Sequence, residues 1–141
     1  GCAILVGQKK KSIRNEKSFW EVKHIWNCRN IWGDEESQLI HHNIKTFSNQ
    51  KKIKLSKINR FEIDPKDLIS SQKWARGNNL EILCCAHSHP TGENKPSEMD
   101  LFLHKSPGLI VIANNSGELK AWWIKNKFSF HRVKIKIYSL T

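Results

Sequence analysis

The sequence predicts a single mixed α/β domain, and three observations carry that expectation. Three stretches read as strands, at residues 2–8, 80–90 and 108–115: CAILVGQ, LEILCCAHSHP and GLIVIANN, the first a continuous apolar run of the kind buried on both faces and the last another buried strand. Between the first two stretches, RFEIDPKDLISSQKWARGNN at residues 60–79 carries helix punctuation at both ends. The 141 residues suffice for one real core, and no shift of composition marks a second domain.

In chain order, the first strand gives way to a charged loop, KKKSIRNEK. SFWEVKHIWNCRN, residues 18–30, then places Trp20, Val22, His24 and Trp26 at alternate positions, the period of a second strand. On that aromatic face His24 is expected to pack rather than to bind. Residues 33–57 are polar and lysine-rich, hold His41 and His42, and show no clean period. A loop of that length in a compact domain is usually functional or mobile, so it is expected to be either a partner-contact insertion or a solvated loop. A short strand then runs into the first helix, with Asp64 as N-cap, Pro65 at the first helical position, Asp67 in an acidic first turn and Gly77 at the stop. That helix delivers the chain to the strand ending in HSHP.

A second helix is expected from Ser97 to about Lys105, presenting Met99, Phe102 and Leu103 inward and His104 outward. After the strand GLIVIANN, NNSG reads as a turn and ELKAWWIKNKFSFHRVKIKIYSL as one or two further strands. Trp122 and Trp123 are expected to pack on the sheet. The predicted order is strand, strand, helix, strand, helix, strand, strand.

The stretch AHSHPTGENKPSEMD, residues 86–100, carries the chemistry. Side chains alternate along an extended segment, so His87 and His89 project to one side and both can offer a ring nitrogen to one metal, while Ser88 points away. Pro90 cannot continue a hydrogen-bond ladder, so the chain turns after the second histidine. Ser97 reads as an N-cap with Asp100 in the first helical turn, aimed back toward the strand end. Two imidazoles and one carboxylate make three ligands, which is the protein complement of a catalytic zinc with one position open.

HSHP, six residues, Ser, two residues, Asp resembles the signature of the JAMM (MPN+) zinc metalloproteases, with His87, His89, Pro90, Ser97 and Asp100 filling every position. The resemblance covers nearly the whole chain and implies a curved mixed sheet flanked by helices, of the cytidine-deaminase-like kind. It implies one Zn²⁺ on His87, His89 and Asp100, oxyanion stabilisation by Ser97, and a glutamate as general base. In the family that glutamate stands two residues before a small residue opening an apolar strand. Here Cys2, Leu5 and Gly7 fall on that pattern. The glutamate is therefore expected immediately before Gly1, outside this chain, and the domain is expected to lack its first helix.

Internal carboxylates are poorer bases. Glu81 shares the parity of His87, but six strand residues put it about 20 Å away. Glu93 and Glu98 read as loop and solvated-face residues, and Glu21 on the second strand is the best internal candidate.

The chain carries 24 Lys plus Arg against 13 Asp plus Glu, a net charge of +11. Such a balance favours an acidic partner or nucleic acid, although richness in lysine, isoleucine and asparagine also follows from an AT-rich genome. The resemblance favours an acidic protein: a ubiquitin-like or sulfur-carrier substrate cut at its C-terminal tail. No nucleic-acid motif accompanies the basic residues, and a zinc nucleobase deaminase is disfavoured because His-x-Glu with Pro-Cys-x-x-Cys is absent. A catalytically silent scaffold of the same fold is the alternative. Cys2, Cys28, Cys84 and Cys85 show no zinc-ligand spacing and read as small buried residues of a reducing, cytoplasmic compartment. No apolar run reaches membrane-spanning length.

Overall fold

The structure, a computed structural model, describes residues 1–15, 17–31, 62–90, 92–104 and 106–138. Its elements are β1 (Cys2–Lys11), β2 (Ser18–Cys28), α1 (Pro65–Gly77), β3 (Glu81–Ser88), α2 (Glu98–Leu103), β4 (Gly108–Ala113), β5 (Leu119–Asn126) and β6 (Ser129–Val133). This is the expected order, with the last stretch, read as one or two strands, forming both β5 and β6. The strands form one mixed sheet in the order β2-β1-β3-β4-β5-β6. Residues 33–57, with His41 and His42, lie outside the described residues.

Gly1–Leu83 and Cys84–Thr141 are two compact units. In the first, β1 and β2 pair antiparallel from Cys2 opposite Cys28 to Lys11 opposite Ser18. The strand therefore runs on through Lys9–Lys11, and the charged loop expected from residue 9 shrinks to a tight connection closed by Ser12 N–H donating to the Lys17 carbonyl at 2.9 Å. The lysines tolerate the strand because they have partners there: Lys9 meets Glu81 at 3.4 Å and lies over the Trp20 ring at 4.5 Å. Ile4 and Val6 are fully buried and Leu5 nearly so, as a strand covered on both faces requires.

The ladder slips by one residue at Val6/Gly7, leaving Lys23 unmatched. This bulge interrupts the loose alternation expected of Trp20, Val22, His24 and Trp26. A Cβ at Gly7 would collide with the Glu21 carbonyl oxygen, so the slip requires glycine on the facing strand. His24 packs as expected, its ring 4.6 Å from that of Trp74 on α1 and 6.1 Å from that of Trp26.

Helix α1 starts as its sequence dictates. Asp64 Oδ1 accepts from Lys66 N–H at 2.9 Å with Pro65 at the first position, and Asp67 accepts from Arg29 N–H at 2.8 Å, fastening the helix to the end of β2. Ser71 and Ala75, one turn apart and small, are its buried residues, and the helix packs on β1. The helix ends at Gly77 as read; beyond it Asn78 N–H caps carbonyls of the last turn and Asn79 takes the left-handed position, at φ 56°. One detail differs from expectation. The short strand before the helix reduces, among the described residues, to a single bridge between Ile63 and Asn30.

In the second unit, β3 and β4 pair parallel from Cys85 opposite Ile110 to Ser88 opposite Ala113, while β4–β5 and β5–β6 are antiparallel. A parallel pair needs a crossover, and residues 89–107 with α2 supply it. Ile110, Ile112 and Ile124 share one sheet face and form a buried cluster with Leu101, Trp122 and Phe130 packed on it. The NNSG turn forms as read, with Gly117 at φ 83° and Asn114 Oδ1 accepting from the N–H groups of Ser116 and Glu118.

Candidate metal centre

β3 ends at Ser88, one residue earlier than the sequence suggests, yet His89 N–H continues the pattern by donating to the Ala113 carbonyl at 2.8 Å. Both histidines are therefore held by β4. His87 is buried, at 7 % exposure, and its Nε2 lies 3.1 Å from His89 Nε2. The two rings converge as alternation demands.

Asp100 arrives from α2. The helix is a single short run, Glu98–Leu103, with Ser97 as N-cap, so it stops two residues short of the expected Lys105. Ser97 Oγ accepts from Asp100 N–H at 3.1 Å, and Asp100 Oδ2 accepts from Ser97 N–H at 2.8 Å. This capping box fixes the carboxylate at the third helical position. From there Oδ1 stands 3.1 Å from His87 Nε2 and Oδ2 stands 3.1 Å from His89 Nε2. The capping role and the ligand role belong to the same carboxylate.

Burial alone would push the Asp100 pKa up; hydrogen bonds from His87 and His89, the charge of His87 and the Ser97 N–H outweigh it and hold the carboxyl well below the usual range. His89 Nδ1–H donates to the Glu93 carbonyl at 2.8 Å, so once the ring gives up its Nε2 proton that nitrogen becomes a lone pair directed at Asp100 and at the other imidazole. Such convergence of acceptors calls for a cation. The three ligand atoms lie within 4.8 Å of one another, the one such group among the described residues. Their 3.1 Å separations approach the roughly 3.3 Å expected for tetrahedral ligands with bonds near 2.0 Å. The donor set fits zinc.

The loop between ligands is pinned by contacts that sequence reasoning missed. Buried Asn94 donates through Nδ2 to the Glu118 carbonyl at 3.2 Å, and Trp122 Nε1–H donates to the Asn94 carbonyl at 2.9 Å. A tryptophan in a lysine-rich strand gives no sign of its distant acceptor, so no local signal marks this contact. His104, expected outside, is only partly exposed; its Nε2 is buried, its ring lies beside Gly108, and desolvation lowers its pKa. It is not part of the ligand group.

The internal glutamates behave as structural charges. Glu21 is held by Lys10 and Lys23, which lower its pKa, Glu81 pairs with Lys9, and Glu93 contributes its backbone carbonyl. Cys84 and Cys85 are free thiols with pKa values raised by burial, that of Cys84 to about 12. No helix among the described residues is long and apolar enough to cross a membrane.

A mixed sheet with two histidines at a strand end and an aspartate at the following helix start defines an α/β protein with a zinc-type donor set. The family model described as prokaryotic homologs of the JAB domain matches residues 1–125, and the chain belongs to that family. It is 35% identical over 78 residues to a desampylase of Pyrococcus furiosus, a match covering 55% of this chain and 56% of that protein. Thus just over half of the relative's length is spanned. Among solved structures, a protein from Desulfitobacterium hafniense superposes with a TM-score of 0.65 at 19% identity, covering 99% of this chain and 78% of that one. A second, from Salinibacter ruber, gives 0.53 at 19% identity, covering 95% and 74%. These two neighbours establish the fold.

Proposed function

We propose that this protein is a zinc-dependent isopeptidase or peptidase that cuts at the C-terminal tail of a ubiquitin-like or sulfur-carrier protein. The convergence of His87, His89 and Asp100 carries the reading, supported by the likeness to a desampylase. Zinc bound there would act as a Lewis acid and bring water within reach of deprotonation near neutral pH.

The chain's own residues supply the rest. Asp100 neutralises charge and is held by its capping box; the Glu93 carbonyl orients His89. Ser97 Oγ already accepts from Asp100 N–H, so its proton is free to be donated to an oxyanion. A glutamate immediately before Gly1 in the full reading frame would take the proton from water and pass it to the leaving amine. A silent scaffold is the second reading, favoured by the engagement of Glu21 and Glu81 with lysines.

The deciding experiment uses the full chain with its native upstream residues. Zinc-loaded protein is incubated with a ubiquitin-like protein joined through its C-terminus to a lysine side chain, beside His89→Ala. Release of the free tail by the parent chain alone is the expected result. Equal release by His89→Ala, or none by either, removes the hydrolase reading.

A further inference from the structure

A surface groove of about 410 Å³ opens beside β5, β6 and the segment after β6. Lys120, Arg132 and Lys134 line it together with Leu119, Ile135 and Ile137, and among the described residues no acidic side chain does. Glu118, next in sequence, is turned away into the NNSG turn, where Asn114 Nδ2 donates to its carboxylate at 3.4 Å. Exposed aliphatic surface is substantial: Leu119 is 42 %, Ile135 37 % and Ile137 80 % exposed. Cations interleave with aliphatics from the start of β5 through the end of β6 to the segment after it, a surface that suits an extended chain, since among the described residues β6 pairs with β5 alone.

Register places this groove relative to the metal ligands. His87 is opposite Ile112, and Ile112 is opposite Lys120, with no slip in either pairing. Residues in register face the same side of a sheet, so Lys120 shares a row and a face with His87. Trp122 is opposite Arg132 on that same face. Two interstrand spacings, about 10 Å, separate the backbones of His87 and Lys120, and the fully buried Ile112 stands between them in that row, so the groove is set apart from the metal ligands.

We propose that the groove holds an extended peptide segment in which acidic and aliphatic side chains alternate. The binding does not rest on the hydrolase reading. The three cations select carboxylates, the aliphatics take the intervening side chains, and the free edge of β6 offers backbone hydrogen bonds.

The test is therefore made without cleavage. Chelator-treated full chain is titrated into a fluorescein-labelled decapeptide of alternating glutamate and valine, and anisotropy is read at low and moderate salt. The combined Lys120→Glu and Lys134→Glu change is expected to weaken binding about tenfold or more. Lys125→Glu, on the same strand but at its other end, is expected to stay within about twofold, the small effect of one distant surface charge. Circular dichroism verifies folding, and the milder pair Lys120→Ala and Lys134→Ala repeats the comparison. Equal weakening by the groove and control variants overturns the proposal. So does tighter binding of a thymidine dodecanucleotide that depends on the same lysines, which would make the surface a nucleic-acid site. Binding that survives while the cleavage assay fails sinks the hydrolase reading alone; cleavage with unaltered peptide binding by the groove variants sinks the groove alone.

Discussion

Ser97 and Asp100 hold each other reciprocally: the serine hydroxyl accepts from the aspartate N–H at 3.1 Å, and the aspartate carboxylate accepts from the serine N–H at 2.8 Å. The same carboxylate faces both histidines, so helix start and ligand placement are one structural event. Ser97→Ala should cost about 1 kcal/mol in the metal-free protein, the usual value of a lost N-cap. Urea denaturation measures it. A loss of less than about 0.3 kcal/mol would show that the cap contributes nothing here.

Zinc should stabilise the folded chain in proportion to its binding. At a free concentration a hundred times Kd the gain is about 2.7 kcal/mol, seen as a rise in Tm. His87→Ala, His89→Ala and Asp100→Asn should each abolish most of that rise. An undiminished zinc response in all three would place the metal elsewhere.

Trp122→Phe keeps the ring against Ile110, Ile112 and Ile124 but removes the donor to the Asn94 carbonyl. A carbonyl left unsatisfied costs about 1–3 kcal/mol. The expected result is a stability loss in that range together with faster amide exchange in residues 92–97. Unchanged exchange there would mean that the indole N–H does not pin the loop.

Cys84 provides a pH dependence whose sign follows from burial. Its pKa rises from 9.0 to about 12 in the folded chain, so between those values the folded state keeps a proton that the unfolded state has released. Stability from this group is complete below pH 9 and falls as pH rises toward 12, by at most about 1.4 kcal/mol per pH unit. Denaturation at pH 8 and pH 10.5 should show a smaller alkaline loss for Cys84→Ala than for the parent. An identical loss in both proteins would rule out the thiol as its source.

Local patterns carried much of this protein. The period of two in AHSHP determined that His87 and His89 share a face, and Ser97 with Asp100 three residues on determined a helix start. Asp64 and Pro65 did the same for α1. All are properties of neighbouring residues, so the chain alone specifies them. Tertiary structure decided what neighbours cannot encode. It set the slip at Gly7, which depends on how close Glu21 comes from the facing strand. It extended β1 through the lysines, because Glu81 and Trp20 wait across the sheet. Above all it brought Asp100 to 3.1 Å from both imidazoles. Residue spacing permits that meeting; the Asn94 contacts to Trp122 and Glu118 hold the intervening loop in the shape that achieves it.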